Sequence, residues 1–501
     1  MRSSVSASIL GKAVRRTGLA HRGLATLLAL SLGTSGCSAL GSVQNSLFGG
    51  PDQAAGTPGR VSGFLGSVVA DEPQAALAAR QVLAAGGNAT DAAVALAFAL
   101  SVTLPSRAGL GGGGGCLVYS AGSAGATRNN PDGTPNAVLF PSVAPASAAG
   151  SDRPAAVPML ARGLYVLHAR YGSLPFETLV SPGEQMARFG VPASRAFVRD
   201  LTVVAAPLAG DAGARAVFTH DGQPLAEGAP LVQPDLSVTL SQIRIAGVGD
   251  LYQGALARRL ANAADQVGGT ITAADLRTAL PKVLPALTVP VAQGDQVAFL
   301  PPPVDGGLAD AAAFQALLAN PTAPDAANAR ALGVATLWRE GGADPKAILT
   351  GPVPPPNLPA LPASTSFATL DHNGNAVVCA LTMGNLFGTG RIAPGTGVLL
   401  AASPASVPPP LLSAALAYNP NLRAFRIAVG ASGQAGAPLA TAIGLLQSFG
   451  DHQTVAQPKP EVAPDPGRLN IINCPGYLPG NQNSCGWATD PRGAGLAVGS
   501  N

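Results

Sequence analysis

Apolar positions along this chain follow two rhythms, one helical and one strand-like, and the switch between them falls near residue 364. Residues 67–70 (SVVA) are a short apolar run and predict a buried strand. Residues 73–85 are Ala-rich and stop at Gly86 and Gly87, which predicts a helix with a glycine stop. Residues 88–102 predict a second helix that closes before Pro105. A strand is expected over residues 116–119. Residues 160–171 and 176–189 place apolar side chains at helical spacing. Residues 250–278 predict two further helices, the second opened by Thr272 and Asp275 at capping-box spacing. Residues 300–307 read as a loop. Residues 320–362, rich in Pro and Ala, read as a flexible lead into the strand region. From Ser364 the period becomes two. Residues 366–370 alternate, residues 371–375 (DHNGN) form a hairpin turn, and residues 376–383 make the return strand. Residues 425–429 and 440–449 repeat the theme as a strand followed by a helix.

Composition narrows the class. The chain has 501 residues, 47% hydrophobic and 11% charged, with a formal net charge of +3. That apolar content supports a large buried core and argues against disorder throughout. The small, scattered charge leaves no footprint for nucleic acid. The counts of 62 Gly and 46 Pro point to a loop-rich protein. The five His are dispersed, and no His, Cys and Asp group has metal-ligand spacing, so neither a metal nor another cofactor is expected.

The amino end reads as a targeting segment. Arg2, Lys12, Arg15, Arg16 and Arg22 precede a short apolar stretch at residues 24–32. Thr34, Ser35 and Gly36 before Cys37 resemble a bacterial lipoprotein cleavage box, with Thr34 in the usual Leu place. Cys37 is then the lipidated residue; an ordinary cleaved signal is the alternative. Either way the expected location is periplasmic or cell-envelope, with a lipid anchor in the membrane under the first reading. Cys474 and Cys485 lie close enough in a turn-rich tail to close a disulfide, while Cys116 and Cys379, each in an apolar run, read as buried free thiols.

Several blocks stand in order along the chain. They are residues 86–95 (GGNATDAAVA), 109–114 (GLGGGG), 170–175 (RYGSLP), 252–257 (YQGALA), 268–276 (GGTITAADL), 301–308 (PPPVDGGL), 370–377 (LDHNGNAV) and 387–390 (FGTG). The glycine run lacks the Gly-Lys-Ser/Thr ending of a phosphate loop. Together the blocks resemble the gamma-glutamyltranspeptidase family over roughly residues 60–450. The resemblance implies an α+β protein with a four-layer αββα N-terminal-nucleophile (Ntn) hydrolase fold. It implies a precursor that cuts itself into a large and a small subunit. The new amino-terminal residue of the small subunit is then the nucleophile.

Counting back seven residues from Asp371 places that nucleophile at Ser364, where the family has Thr; a one-residue slip would make it Thr365. A terminal Ser hydroxyl is a competent nucleophile, with its own α-amine as base. Thr382 falls at a Thr that orients the nucleophile. Gly433 and Gln434 stand where a Gly-Gly pair supplies backbone N–H donors to the oxyanion. The chain thus divides into a lipoprotein-type signal peptide (1–37), a linker (38–60), a large-subunit-like region (61–363), a small-subunit-like region (364–450) and a Pro/Gly-rich tail (451–501).

Departures from the family concentrate on the glutamate grip. Pro141 stands at the position of the Arg that holds the α-carboxylate, and Ser406 at the Asp that holds the α-amine. The family's Ser pair that also grips the carboxylate aligns with Pro408 to Leu412 (PPPLL), where this chain has no Ser. An Asn of the pocket lands on Gly384, with Asn385 adjacent as the remaining substrate-binding candidate. A zwitterionic head needs a cation and an anion to hold it. Replacement cations are Arg107, Arg128 and Arg391. The expected function is therefore an autoprocessing amidohydrolase or acyltransferase with a Ser/Thr nucleophile. Its partner is a small-molecule amide or peptide, gamma-glutamyl or a related acyl amide. The alternative is a non-catalytic homologue serving as a lipoprotein scaffold or binding module.

Overall fold

The computed structural model describes residues 63–121, 133–342, 344–358, 363–450 and 467–500. The signal peptide with Cys37, the linker and Arg128 lie outside them. Strand alternation generates the architecture. Two mostly buried antiparallel sheets stack face to face, and helices cover both outer faces.

The strands of the two sheets are β1 (Gly66–Ala70), β2 (Gly113–Tyr119), β3 (Asn136–Phe140), β4 (Lys282–Pro285), β5 (Leu287–Pro290), β6 (Gln296–Phe299), β7 (Ser364–Asp371), β8 (Ala376–Thr382), β9 (Ser413–Asn419), β10 (Ala424–Ser432), β11 (Arg468–Leu478), β12 (Gly486–Thr489) and β13 (Leu496–Ser500). The first sheet runs β13-β1-β7-β8-β2-β3-β4 and the second β12-β11-β10-β9-β6-β5. The principal helices are α1 (Pro73–Ala84), α2 (Ala89–Thr103), α3 (Leu160–Tyr171), α4 (Phe176–Phe189), α5 (Arg195–Leu208), α6 (Gly306–Ala319), α7 (Pro324–Arg339) and α8 (Ala437–Gly450).

Side-chain parity sorts the core into three layers. Phe367 of β7 and Val377, Cys379 and Leu381 of β8 face the α1–α5 side. Their neighbours Ala368, Leu370, Val378 and Ala380 face the other sheet, where they meet Leu416, Phe425 and Ala428. Ile427, Val429 and Ala431 of β10 turn outward against α6, α7 and α8. This is the αββα order.

The β7–β8 hairpin closes on Asp371, whose Oδ1 accepts from the Asn373 and Asn375 N–H groups at 2.9 and 3.1 Å. Its Oδ2 accepts from Ala89 N–H at the start of α2, 3.1 Å away. The glycine run is structural. A Cβ on Gly113 would sit 2.4 Å from the Phe140 carbonyl oxygen, so only glycine lets β2 lie this close to the end of β3. The strand therefore starts within the run, earlier than residue 116.

Four expectations need correction. Residues 320–362 are not simply a flexible lead, because α7 and a short helix, Pro345–Thr350, occupy much of them. Pro324 stands in the first turn of α7, where its missing N–H costs nothing, and Ala327, Ala331, Val334 and Ala335 form its buried stripe. Residues 300–307 are only partly loop, since α6 begins at Gly306. Residues 467–500 are not a peripheral tail: β11 and β12 belong to the second sheet, and β13 pairs with β1. Cys116 and Cys379 are not free thiols. They face each other directly across β2 and β8, with Cα atoms 4.1 Å apart, and form a disulfide. Neither apolar run contains the register that brings them together. Cys474 is paired with Cys485.

Candidate active site

Ser364 opens β7 and lies directly opposite Thr382 at the end of β8. Parity turns Ser364 toward the space between the sheets. Its neighbour two residues on, Ser366, packs there against Gly430 of β10. Ser364 is 1% exposed, and its Oγ finds no hydrogen-bond partner among the described residues. Thr365 points to the opposite face. Its Oγ1 donates to Asp71 Oδ2 at 2.9 Å. Alternation thus separates the two nucleophile candidates: one hydroxyl is unpartnered, the other is tied to a carboxylate.

The Ala363–Ser364 peptide is held from both sides. Ala363 has φ +145°, a region that side chains other than glycine rarely occupy. Its carbonyl oxygen accepts from Thr382 Oγ1 at 2.6 Å, and the same hydroxyl accepts from Gly384 N–H at 2.8 Å. A hydroxyl donor therefore already sits on the carbonyl that Ser364 would attack.

Gly433 adopts a left-handed conformation, φ +103°, between β10 and the turn that leads into α8. With Ser432 it lines a cavity of about 160 Å³ shared with Ser364, Ala363, Asp71, Arg107, Arg199 and Arg468. Ser432 Oγ is buried there and is also without a partner among the described residues. Gln434 lines a separate small cavity, beside Leu358 and Pro408 to Leu411. Asn385 lines a different cavity from Ser364. Its Oδ1 accepts from Leu386 N–H, and it lines a cleft of about 390 Å³ with Asp152, Arg153 and Ser406.

On the far side of Thr382 lies a pocket of about 190 Å³. Pro141, Gly384 and Pro409, all positions that the resemblance assigns to gripping glutamate, converge on it. They do so with Val304, Ala402 and Leu412, so its wall is largely apolar. Asp305 also reaches this wall. Burial pushes its carboxyl up, against the opposing pull of its ion pair with Arg339. Of the proposed replacement cations, Arg391 pairs with Asp152 at 2.8 Å. Arg107 stands in the Ser364 cavity. Burial works against its charge, and the Asp200 carboxylate, bound in two places at 2.7 Å, more than restores it.

Asp71, Ser432, Arg199, Arg468 and Asn470 were not singled out by sequence reasoning. Asp71 ends the apolar run of β1 and accepts from Thr365 Oγ1, Ser366 N–H (3.3 Å) and Asn470 Nδ2 (2.8 Å), so it ties β7 to β11. A carboxylate closing a buried strand was the available signal. Arg468 and Asn470 gave none, because they stand beyond the matching blocks.

Residues 75–334 match the family model described as Gamma-glutamyltranspeptidase. The chain belongs to this family. It is 28% identical over 396 residues to the glutathione hydrolase proenzyme of Escherichia coli K12, covering 68% of this chain and 65% of that one. It is 33% identical over 228 residues to the acylase ACY 1 proenzyme of Pseudomonas sp. strain V22, covering 43% of this chain and 41% of the relative. The matched stretches thus span less than two thirds of these relatives. Among solved structures, the cephalosporin acylase from Bacillus halodurans superposes with a TM-score of 0.70, at 20% identity, over 89% of this chain and 98% of that one. The likeness and the αββα layering together identify an α+β fold of the Ntn-hydrolase type.

Proposed function

We propose that this family member cuts itself between Ala363 and Ser364 and then works as an amidohydrolase or acyltransferase on an amide with a weakly polar acyl group. One observation carries the reading: the unpartnered Ser364 hydroxyl adjoins a carbonyl already held by Thr382. Ser364 Oγ attacks the Ala363 carbonyl carbon, the C–N bond breaks, and the acyl group passes from nitrogen to oxygen. Water hydrolyses the ester, leaving a carboxylate on Ala363 and a free amine on Ser364. That amine takes the Oγ proton when Ser364 attacks the substrate carbonyl. Backbone donors at Gly433 and Gln434 serve the oxyanion. The Escherichia coli and Pseudomonas relatives are both proenzymes, which agrees with processing.

The apolar pocket beside Thr382 takes the acyl group. A glutamyl head would leave its carboxylate without a cation at Pro141 and its ammonium without an anion at Ser406, where each charged hydrogen bond contributes about 1.5–3 kcal/mol. Export, a lipid on Cys37 and a cell-envelope location complete the proposal. Disulfides in the folded chain fit an oxidising compartment.

A reducing denaturing gel tests the cut. Wild type yields a fragment that begins at Ser364 by amino-terminal sequencing, and Ser364→Ala stays whole. One uncut band in both overturns the enzyme reading and favours the scaffold. Fast chromophore release from a gamma-glutamyl anilide would refute the pocket argument. Incorporation of labelled palmitate, lost in Cys37→Ala, checks the anchor.

A further inference from the structure

We propose that the acyl group taken by the pocket beside Thr382 is an uncharged chain of about six carbons with one hydrogen-bonding oxygen at its far end. This rests on the reading of Ser364 as nucleophile and of that pocket as the acyl seat, and it adds the substrate class.

The sheet itself supplies a ruler. In the first sheet β7, β8, β2 and β3 are successive neighbours. Ser364 of β7 lies opposite Thr382 of β8, and Thr382 lies opposite Gly113 of β2. Gly114 is paired with Phe140, the last residue of β3, so Gly113 faces the chain where Pro141 begins. A Cβ on Gly113 would stand 2.8 Å from the Ser142 nitrogen and 2.9 Å from the Pro141 carbonyl carbon, so residues 141 and 142 close over the end of this row. Thr382, Pro141 and Ser142 all line the one pocket. Neighbouring strands are about 4.8 Å apart, so three spacings put Ser364 about 14 Å from Pro141. A contact distance of about 3.5 Å at each end leaves about 7 Å. That length holds about six extended bonds at about 1.2 Å each. Six bonds are a six-carbon acyl chain and one terminal oxygen.

The wall sets the chemistry. Pro141, Pro303, Pro404, Pro409 and Pro410 line it. Proline carries no N–H and has a fixed φ, so these residues offer no main-chain donor and yield little to an overlong chain. Asp305 is the charged residue on the wall, and Arg339 already matches it. The same guanidinium donates to the Pro409 carbonyl at 2.7 Å. A charged acyl group would therefore find no free counter-charge among the lining residues.

A separate observation points to the terminal oxygen. Ser142 Oγ is buried on this wall and has no partner among the described residues. An orphaned buried hydroxyl is costly until something pairs with it. Ser142 stands at the far end of the row from Ser364, where the end of a six-carbon chain arrives.

The probes are neutral amides: acetamide, butanamide, hexanamide, decanamide and 6-hydroxyhexanamide. Their binding to the purified full chain is measured by calorimetry for wild type, Ser142→Ala and Val407→Phe. Val407 is a half-buried wall residue, so a larger side chain there fills the pocket, and melting curves confirm folding. Affinity is expected to rise up to about fourfold per methylene as far as hexanamide and to fall for decanamide. Val407→Phe should remove the gain of hexanamide over acetamide. In wild type 6-hydroxyhexanamide should bind at least as tightly as hexanamide. In Ser142→Ala it should bind about tenfold more weakly than hexanamide, because its hydroxyl is then buried unpaired. Equal binding of all chain lengths overturns the proposal, as does a rise that continues through decanamide. An unchanged hydroxyl preference in Ser142→Ala overturns it too. A reducing gel of the titrated wild type separates the two ideas. A six-carbon optimum in a chain that stays uncut supports the pocket while refuting the nucleophile; a cut chain with no length preference does the reverse.

Discussion

Replacing Thr382 with Val removes one hydroxyl and nearly preserves the shape of the side chain. That hydroxyl donates to the Ala363 carbonyl at 2.6 Å and accepts from Gly384 N–H at 2.8 Å. In the proposed cut, attack by Ser364 would develop negative charge on the same carbonyl oxygen. Loss of one preorganised donor to such an oxygen slows a reaction by about 10²–10³, or about 2.7–4 kcal/mol. The bond to Gly384 adds a separate cost. Its buried N–H loses an acceptor, which lowers stability by about 1–3 kcal/mol. The assay follows the cut fraction against time on reducing gels, with urea unfolding measured in parallel to separate the two costs. Thr382→Val should cut about 100-fold more slowly than wild type. Thr382→Ser, which keeps the hydroxyl, should cut at close to the wild-type rate. A folded Thr382→Val chain that cuts as fast as wild type would refute the role given to this hydroxyl.

Ala363→Gly should relax the φ of +145°, a strain of about 1–3 kcal/mol, and so stabilise the uncut chain and slow its cleavage; an unchanged time course would show that strain plays no part. Gly430→Ala would place a Cβ 2.9 Å from the Ser366 Cβ, pushing the sheets apart at a cost of about 1–3 kcal/mol in urea unfolding. Asp310 of α6 is fully buried, and burial holds its carboxyl well above the ordinary value despite hydrogen bonds with Ser413 and Ala414. The folded state therefore favours the proton. Its contribution is complete at pH below the ordinary carboxylate value and is lost as pH rises through the raised one. Asp310→Asn, a mimic of the protonated form, should flatten this fall in stability between acid and neutral pH; an identical slope in the variant would contradict it.

The hairpin of β7 and β8 was legible because residues 370–377 carry both a turn and alternation around it. The helices α1 and α2 were legible because their stops are glycines and a proline. The features that escaped sequence reading depend on partners far along the chain. Cys116 and Cys379 reveal their pairing only through the register of β2 against β8. The strands β11 to β13 lie beyond the family blocks, and their sheet neighbours are β10 and β1. At the site, counting from Asp371 left Ser364 and Thr365 open. Parity then set one hydroxyl between the sheets and tied the other to Asp71. The positions of the lost glutamate grip could be read individually, but their convergence on one apolar pocket could not.

The bridge between Cys116 and Cys379 straddles residue 364. If the chain is severed there, the halves stay leashed as one covalent molecule, and only a reductant can divorce them. Non-reducing electrophoresis would then show a single band of full size from fully matured protein. The leash also spares the halves from having to find each other again by diffusion after transient opening, because the bridge fixes their local concentration whatever the dilution.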